Sequence, residues 1–146
     1  MQISKNFNLW EFEKSETAVK YGIDNRVNSD IVLNNLTLLV WNVLQPLRDA
    51  VNKPIHIGSG YRCPKVNALV GGVPTSQHMK GQACDIKITG MTPYEIGRTV
   101  LELGIPFDQL ILYPTFVHVS YNKDNNRNKL LYNKTYHGRR DIRDVH

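Results

Sequence analysis

The chain is poor in the features that mark several common protein classes. Its 146 residues include two cysteines, Cys63 and Cys84, too few for a disulfide-stapled scaffold. No apolar run approaches the ~18 residues that a membrane-spanning helix needs, so no membrane span is expected. The opening Met1-Gln2-Ile3-Ser4-Lys5 lacks the apolar stretch of a secretory signal, and synthesis in the cytoplasm is the expectation. There is no internal repeat, linker or low-complexity segment to divide the chain. A hydrophobic content of 41% is enough for one core at this length.

Acidic residues are the minority charge, 13 against 18 Lys and Arg, giving a net charge of +5. Such a balance favours an anionic partner, either nucleic acid or a cell wall. The excess gathers in Lys123, Arg127, Lys129, Lys134, Arg139, Arg140 and Arg143, interleaved with Tyr121, Tyr132 and Tyr136. Aromatic and basic residues in alternation can mark a nucleic-acid surface, but nothing else in the chain supports one. The segment reads as a solvated tail with some docked tyrosines, and no nucleic-acid partner is expected.

Periodicity predicts an α+β domain, helices first and then a small, mainly antiparallel sheet. Asn8 caps a short turn over 9–14, and 15–20 continue as a second helical piece. The clearest helix runs from about Asp30 to Val51, with Val32, Leu36, Leu39, Val40, Val43, Leu47 and Val51 on one face. Pro46 should kink or divide it. A strand over 53–57 and a short helix over 64–70 come next, the helix closing at Gly71-Gly72. Residues 83–88 alternate as a strand. Thr92-Pro93-Tyr94-Glu95 reads as a capping box opening a helix to about Leu103. Segments 109–112 and 116–121 flank Tyr113-Pro114-Thr115 as a hairpin.

Among the five histidines, His78 and His118 stand out. His78 follows a polar turn and precedes Gly81, which lets the chain fold back towards Asp85. His118 lies between Val117 and Val119, so strand alternation turns it away from both. By contrast, His56 belongs to a strand between two isoleucines, and His137 and His146 sit in the basic tail. Two imidazoles and one carboxylate suit zinc better than calcium or magnesium, which prefer all-oxygen shells. Three protein ligands leave a fourth position open, as in catalytic sites.

The motifs Ile57-Gly58-Ser59-Gly60-Tyr61-Arg62, Ser76-Gln77-His78 with Gly81 and Asp85, and Phe107-Asp108-Gln109-Leu110-Ile111 followed by Val117-His118-Val119-Ser120-Tyr121 carry a resemblance. So do Asn67, Gly71-Gly72, Asn6-Phe7-Asn8-Leu9-Trp10-Glu11-Phe12 and Ser15-Glu16-Thr17-Ala18. Together they resemble the zinc D-Ala-D-Ala carboxypeptidases and endopeptidases, which share a fold with the Hedgehog domain, and in particular their small carboxypeptidase-like branch. The resemblance implies a zinc peptidase domain over 1–122, with 123–146 as a basic extension of the same domain. It implies one Zn2+ held by His78, Asp85 and His118. It further implies that Arg62 is catalytic or substrate-holding, with Ser76 making polar contacts nearby; the alternative for Arg62 is a structural ion pair. Gln77, next to a ligand, is expected to support it or to meet substrate. Peptidoglycan peptides are the implied partner and a monomer the implied state. The protein would act on the cell wall after release by lysis or another export route, as a phage or prophage lysis enzyme does.

One departure concerns proton transfer. Relatives carry an acid three positions before the last ligand, where this chain has Thr115, or a histidine two positions before it, here Phe116. Asp108 is then the nearest upstream acid and the first candidate for the proton acceptor, with Tyr113 or a carboxylate from another loop as the alternatives. A two-residue Pro114-Thr115 turn would pair Ile111 with His118 and put Gln109 and Ser120 on the metal face, where Ser120 is expected to contact substrate. Asp108 reaches that face only if the chain bends. Three functional readings follow: a DD-carboxypeptidase or cross-link endopeptidase, an LD-endopeptidase acting on the L-alanyl–D-glutamate bond, and a zinc-bearing wall-binding module without catalysis. The cysteines are read as buried free thiols, with a disulfide as the alternative in a secreted chain; Cys84 should face away from Asp85.

Overall fold

The computed structural model describes residues 1–142; Arg143 and His146 of the basic tail lie outside the described residues. A small antiparallel pair, β1 (Gln2–Ser4) and β2 (Phe7–Asn8), leads into helices α1 (Trp10–Glu13) and α2 (Glu16–Tyr21). Helix α2 starts at Ser15, whose hydroxyl accepts the Ala18 amide, and stops at Gly22 in the left-handed conformation. Helix α3 (Asp30–Leu39), capped by Ser29, runs through a π-helical turn, Val40–Leu44, into α4 (Gln45–Val51).

The expected division by Pro46 takes this form for a physical reason. Pro46 has no amide hydrogen, so the regular ladder loses one bond before α4. A π turn absorbs the mismatch while the backbone stays in the right-handed helical region at Leu39, Val40 and Gln45. The apolar stripe survives the junction. Leu36, Leu39, Val40, Val43, Leu44 and Leu47 are all fully buried, each contributing roughly 1.5–3 kcal/mol by leaving water.

These helices pack on a five-stranded sheet of order β3-β4-β6-β5-β7. The strands are β3 (Ile55–Ser59), β4 (Ala83–Ile88), β5 (Gln109–Leu112), β6 (Val117–Ser120) and β7 (Lys129–Tyr132). Helix α5 (Pro64–Leu69) and a 3-10 turn (Gln77–Lys80) lie between β3 and β4, and α6 (Pro93–Glu102), with its capping box complete, lies between β4 and β5. Ile57, Ile86, Leu110, Leu112, Val117 and Val119 form the sheet's buried contribution to the core. Cys84 is buried with them, and both cysteines are free thiols.

The hairpin register is the one that a two-residue turn dictates, with Ile111 opposite His118. The tail is where the structure adds most. β7 pairs with β5 in parallel, Gln109 opposite Lys129 through Leu112 opposite Tyr132, and makes the sheet mixed. Tyr136 and Ile142 are buried. Tyr132 and Tyr136 stack 5.4 Å apart, and the Arg140 guanidinium lies over both rings. The tyrosines of the stripe are thus docked, Tyr136 fully and Tyr121 and Tyr132 in part, while Lys123, Arg127, Lys129, Lys134, Arg139 and Arg140 stay exposed. No helix among the described residues is long and apolar enough to cross a membrane.

Candidate metal centre

Register assembles the centre. β4 and β6 pair so that Asp85 stands directly opposite His118, and directly opposed residues share a face of the sheet. His78 reaches the same place from the 3-10 turn before β4. Ser76 caps that turn by accepting the His78 amide at 3.2 Å. Gly81 ends it at φ +73°, where an added Cβ would lie 2.6 Å from the Val32 carbonyl oxygen of α3. Only glycine fits there, so the reversal that brings His78 back to Asp85 depends on that residue.

The donor atoms converge. Those of His78, Asp85 and His118 all lie within 4.8 Å of one another. Asp85 Oδ1 is 3.0 Å from His118 Nδ1 and 3.5 Å from His78 Nε2. Tetrahedral ligands at zinc bond lengths stand about 3.3 Å apart, so these spacings and this donor set fit a zinc ion. The other nitrogen of His78, Nδ1, lies 2.8 Å from the buried Gly60 carbonyl. Donation of Nδ1–H to that oxygen leaves the Nε2 lone pair facing Asp85, the outer-shell arrangement that orients a metal-binding imidazole. Gly60 itself is pressed against Phe12, whose Cα would lie 2.7 Å from an added Cβ.

Arg62 borders the centre. Its Nη2 is 4.0 Å from Asp85 Oδ2, its Nε donates to Ser59 Oγ at 3.3 Å, and its Nη1 donates to Asn67 Oδ1 at 3.4 Å. Its amide donates to the His78 carbonyl at 3.2 Å, which ties the Arg62 segment to the ligand turn. Asn25 was not singled out from sequence, yet it is buried and locks this segment. Its amide group donates to the Glu13 and Tyr61 carbonyls, and its oxygen accepts the Cys63 amide. A lone asparagine after a helix gives no sequence signal for such a latch; its partners lie 12 to 38 positions away.

A groove of about 520 Å³ runs beside the donors, lined in part by Ser76, Gln77, Asp108, Gln109, His118 and Arg127. Of the residues expected to meet substrate, Ser76 and Gln77 line this groove. Ser120 does not. It is fully buried, and its hydroxyl accepts the Gln109 amide at 3.0 Å, closing the join of β5 to β6.

Asp108 does come round to the groove, but its carboxylate is fully engaged rather than free towards the metal donors. Arg127 grips it in two-pronged fashion, Nε to Oδ1 at 2.7 Å and Nη2 to Oδ2 at 3.0 Å, and the Arg127 amide adds a third bond to Oδ1 at 3.0 Å. Gln77 Nε2 donates to Oδ2 at 2.9 Å. The Arg127 bonds, aided by Gln77, push the Asp108 pKa below its ordinary value against the opposing effect of burial. Thr115 lies in the hairpin turn and Phe116 stacks on Tyr113 at 4.3 Å.

Comparison with known proteins bears on the same stretch of chain. The sequence matches the peptidase M15 family over residues 5–120. It is 31% identical over 93 residues to the zinc D-Ala-D-Ala carboxypeptidase of Streptomyces albus G, a match covering 57% of this chain and 36% of that protein. The chain thus spans well under two thirds of the length of this curated relative. The matched residues include every donor of the convergent site and end at the last residue of β6, and the chain belongs to the peptidase M15 family.

Proposed function

We propose that this chain is a zinc metallopeptidase that hydrolyses peptide bonds in peptidoglycan stem peptides or their cross-links. The observation that carries the reading is the convergence of His78, Asp85 and His118 within a peptidase-family chain. When bound there, zinc would polarise the scissile carbonyl and lower the pKa of an attacking water. The chain's own residues do the rest. His78 is held in one tautomer by Gly60, so its donor nitrogen is ready without reorganisation. Arg62 carries a permanent charge and a planar fork, and it stands beside Asp85 within reach of a substrate carboxylate or a developing oxyanion. Ser76, Gln77 and Gln109 offer polar contacts along the groove. The basic surface suits an anionic wall.

Cleavage of a terminal D-Ala-D-Ala bond is the favoured specificity, by analogy with the Streptomyces protein's named activity. A second reading, a zinc-bearing wall-binding module without turnover, draws on a specific observation: both Asp108 oxygens are taken by Arg127 and Gln77. Mass spectrometry of purified muropeptides, incubated with and without a chelator, separates the readings. Loss of a terminal alanine marks a carboxypeptidase, and conversion of cross-linked dimers to monomers marks an endopeptidase. Cleavage after L-alanine marks the LD alternative. Unchanged muropeptides that nonetheless bind the protein would overturn the enzymatic reading.

A further inference from the structure

We propose that Arg127 is a positioning residue for the metal centre, acting through Asp108 and Gln77 on the turn that carries His78. The proposal rests on the reading of His78 as a metal ligand and assigns a role to the segment beyond the family match, which ends at residue 120.

The connection is continuous and short. Arg127 lies in the loop joining β6 to β7, and that loop is built to hold a shape. The Asn122 amide donates to Asn126 Oδ1 at 2.9 Å, and the Asp124 amide to Asn122 Oδ1 at 3.0 Å. At its far end the Asn128 amide donates to the Phe107 carbonyl at 3.0 Å and the Lys129 amide to the Asp108 carbonyl at 2.9 Å. The loop is thereby anchored to the backbone on both sides of the Asp108 side chain. The Arg127 fork then fixes that side chain in its plane, since two parallel bonds to one carboxylate remove its freedom to rotate.

Asp108 passes the constraint on. It is 1% exposed, and its Oδ2 accepts from Gln77 Nε2. Gln77 is the first residue of the 3-10 turn, and its carbonyl accepts the Gln82 amide at 3.0 Å, across the turn. One residue thus has its side chain pinned by Asp108 and its backbone pinned to the far end of the turn. His78 is the next residue. Without Arg127, a buried carboxylate would lose its permanent cation and Gln77 its fixed acceptor, leaving the turn to Ser76, to a longer Gln77–Gln82 side-chain bond at 3.4 Å and to Asn35, which donates to the Lys80 carbonyl.

Zinc affinity is the decisive readout, measured on the full chain by competition with a chromophoric chelator. Arg127→Gln and Gln77→Ala should each weaken zinc binding by ~10-fold or more, as loss of outer-shell partners does. Because they act along one chain of contacts, the double variant should be little worse than either single one. Arg127→Lys should not restore affinity, since an ammonium cannot reproduce the fork. A purely structural Arg127 would lower the melting temperature and leave zinc affinity unchanged, and that result overturns the proposal. If Arg127→Gln fails to fold, Gln77→Ala, which leaves the ion pair intact, decides alone: unchanged affinity overturns the proposal. Wild-type protein that binds no zinc would overturn the metal centre and this proposal together. Normal wild-type binding with normal binding by both variants would overturn this proposal alone.

Discussion

Asp85 and Asp108 are two sheltered carboxylates of one small sheet, and they are satisfied in opposite ways. Asp85 faces two imidazoles, which carry no fixed charge, and its nearest permanent cation, Arg62, stands off at 4.0 Å. Asp108 receives a guanidinium at 2.7 and 3.0 Å and a side-chain amide at 2.9 Å. A carboxylate already neutralised by a fork has little to gain from a metal ion. One set among lone-pair donors gains a great deal, because a cation can satisfy all three groups at once. The same residue type is thereby directed to ligation in one place and to architecture in the other.

The largest expected effect breaks the Asp85 side of this contrast. His118→Ala or Asp85→Asn should abolish stoichiometric zinc binding and peptide hydrolysis together, while circular dichroism still shows a folded chain. Zinc retained in either variant would remove that residue from the ligand set. Thermal melts sharpen the point, since a ligand that binds only the folded state raises stability by about 2.7 kcal/mol at 100-fold excess over Kd. Chelation should therefore lower the melting temperature of the wild type and leave that of His118→Ala unmoved.

A smaller effect is expected at the border between the two regions. Arg62→Lys keeps the charge but loses the fork, and turnover should fall by ~10²-fold, the cost of losing one oxyanion donor. Zinc content should stay at the wild-type level because Arg62 is not a ligand. Unchanged kinetics in this variant would return Arg62 to a structural ion pair with Asp85.

The smallest effect concerns acid stability on the Asp108 side. Its pKa is depressed in the folded state, first by the Arg127 hydrogen bonds. A depressed carboxylate contributes stability that is complete above its unfolded value, near ~3.9, and that is lost as pH falls through the folded value. Asp108→Asn should therefore be less stable than wild type near neutrality, and the difference should shrink as pH drops below about 4. Urea unfolding of both metal-free proteins across that range measures it. The effect is modest because the Arg127 side chain is 46% exposed and its charge is screened by water. A gap between the two proteins that stays constant with pH would mean that the pair contributes no titrating stability.

Much of the plan was legible in the chain because local chemistry fixed it. Ser29 and Thr92 announce helix starts through hydroxyls that reach an amide three residues on. The stripe from Leu36 to Leu47 predicts a buried helix face, and Pro46 predicts its interruption. The two-residue turn at Pro114-Thr115 sets which residue faces His118, since pairing register follows loop length. Residue type and spacing pointed towards His78, Asp85 and His118, because few side chains donate well to zinc, and the family resemblance implied them as one ligand set.

Tertiary structure decided what those elements became to one another. No periodicity in 123–142 signals a strand, yet β7 forms because the free edge of β5 offers unpaired amides and carbonyls to a segment the chain can return there. Ser120 sits on a metal-bearing strand but is claimed by the Gln109 amide. Asp108 looks from sequence like a free acid near the last ligand, and only the loop that returns Arg127 commits it to an ion pair. In each case the deciding partner lies far along the chain or across a strand, and a hydrogen bond between distant groups leaves no mark in the sequence around either one.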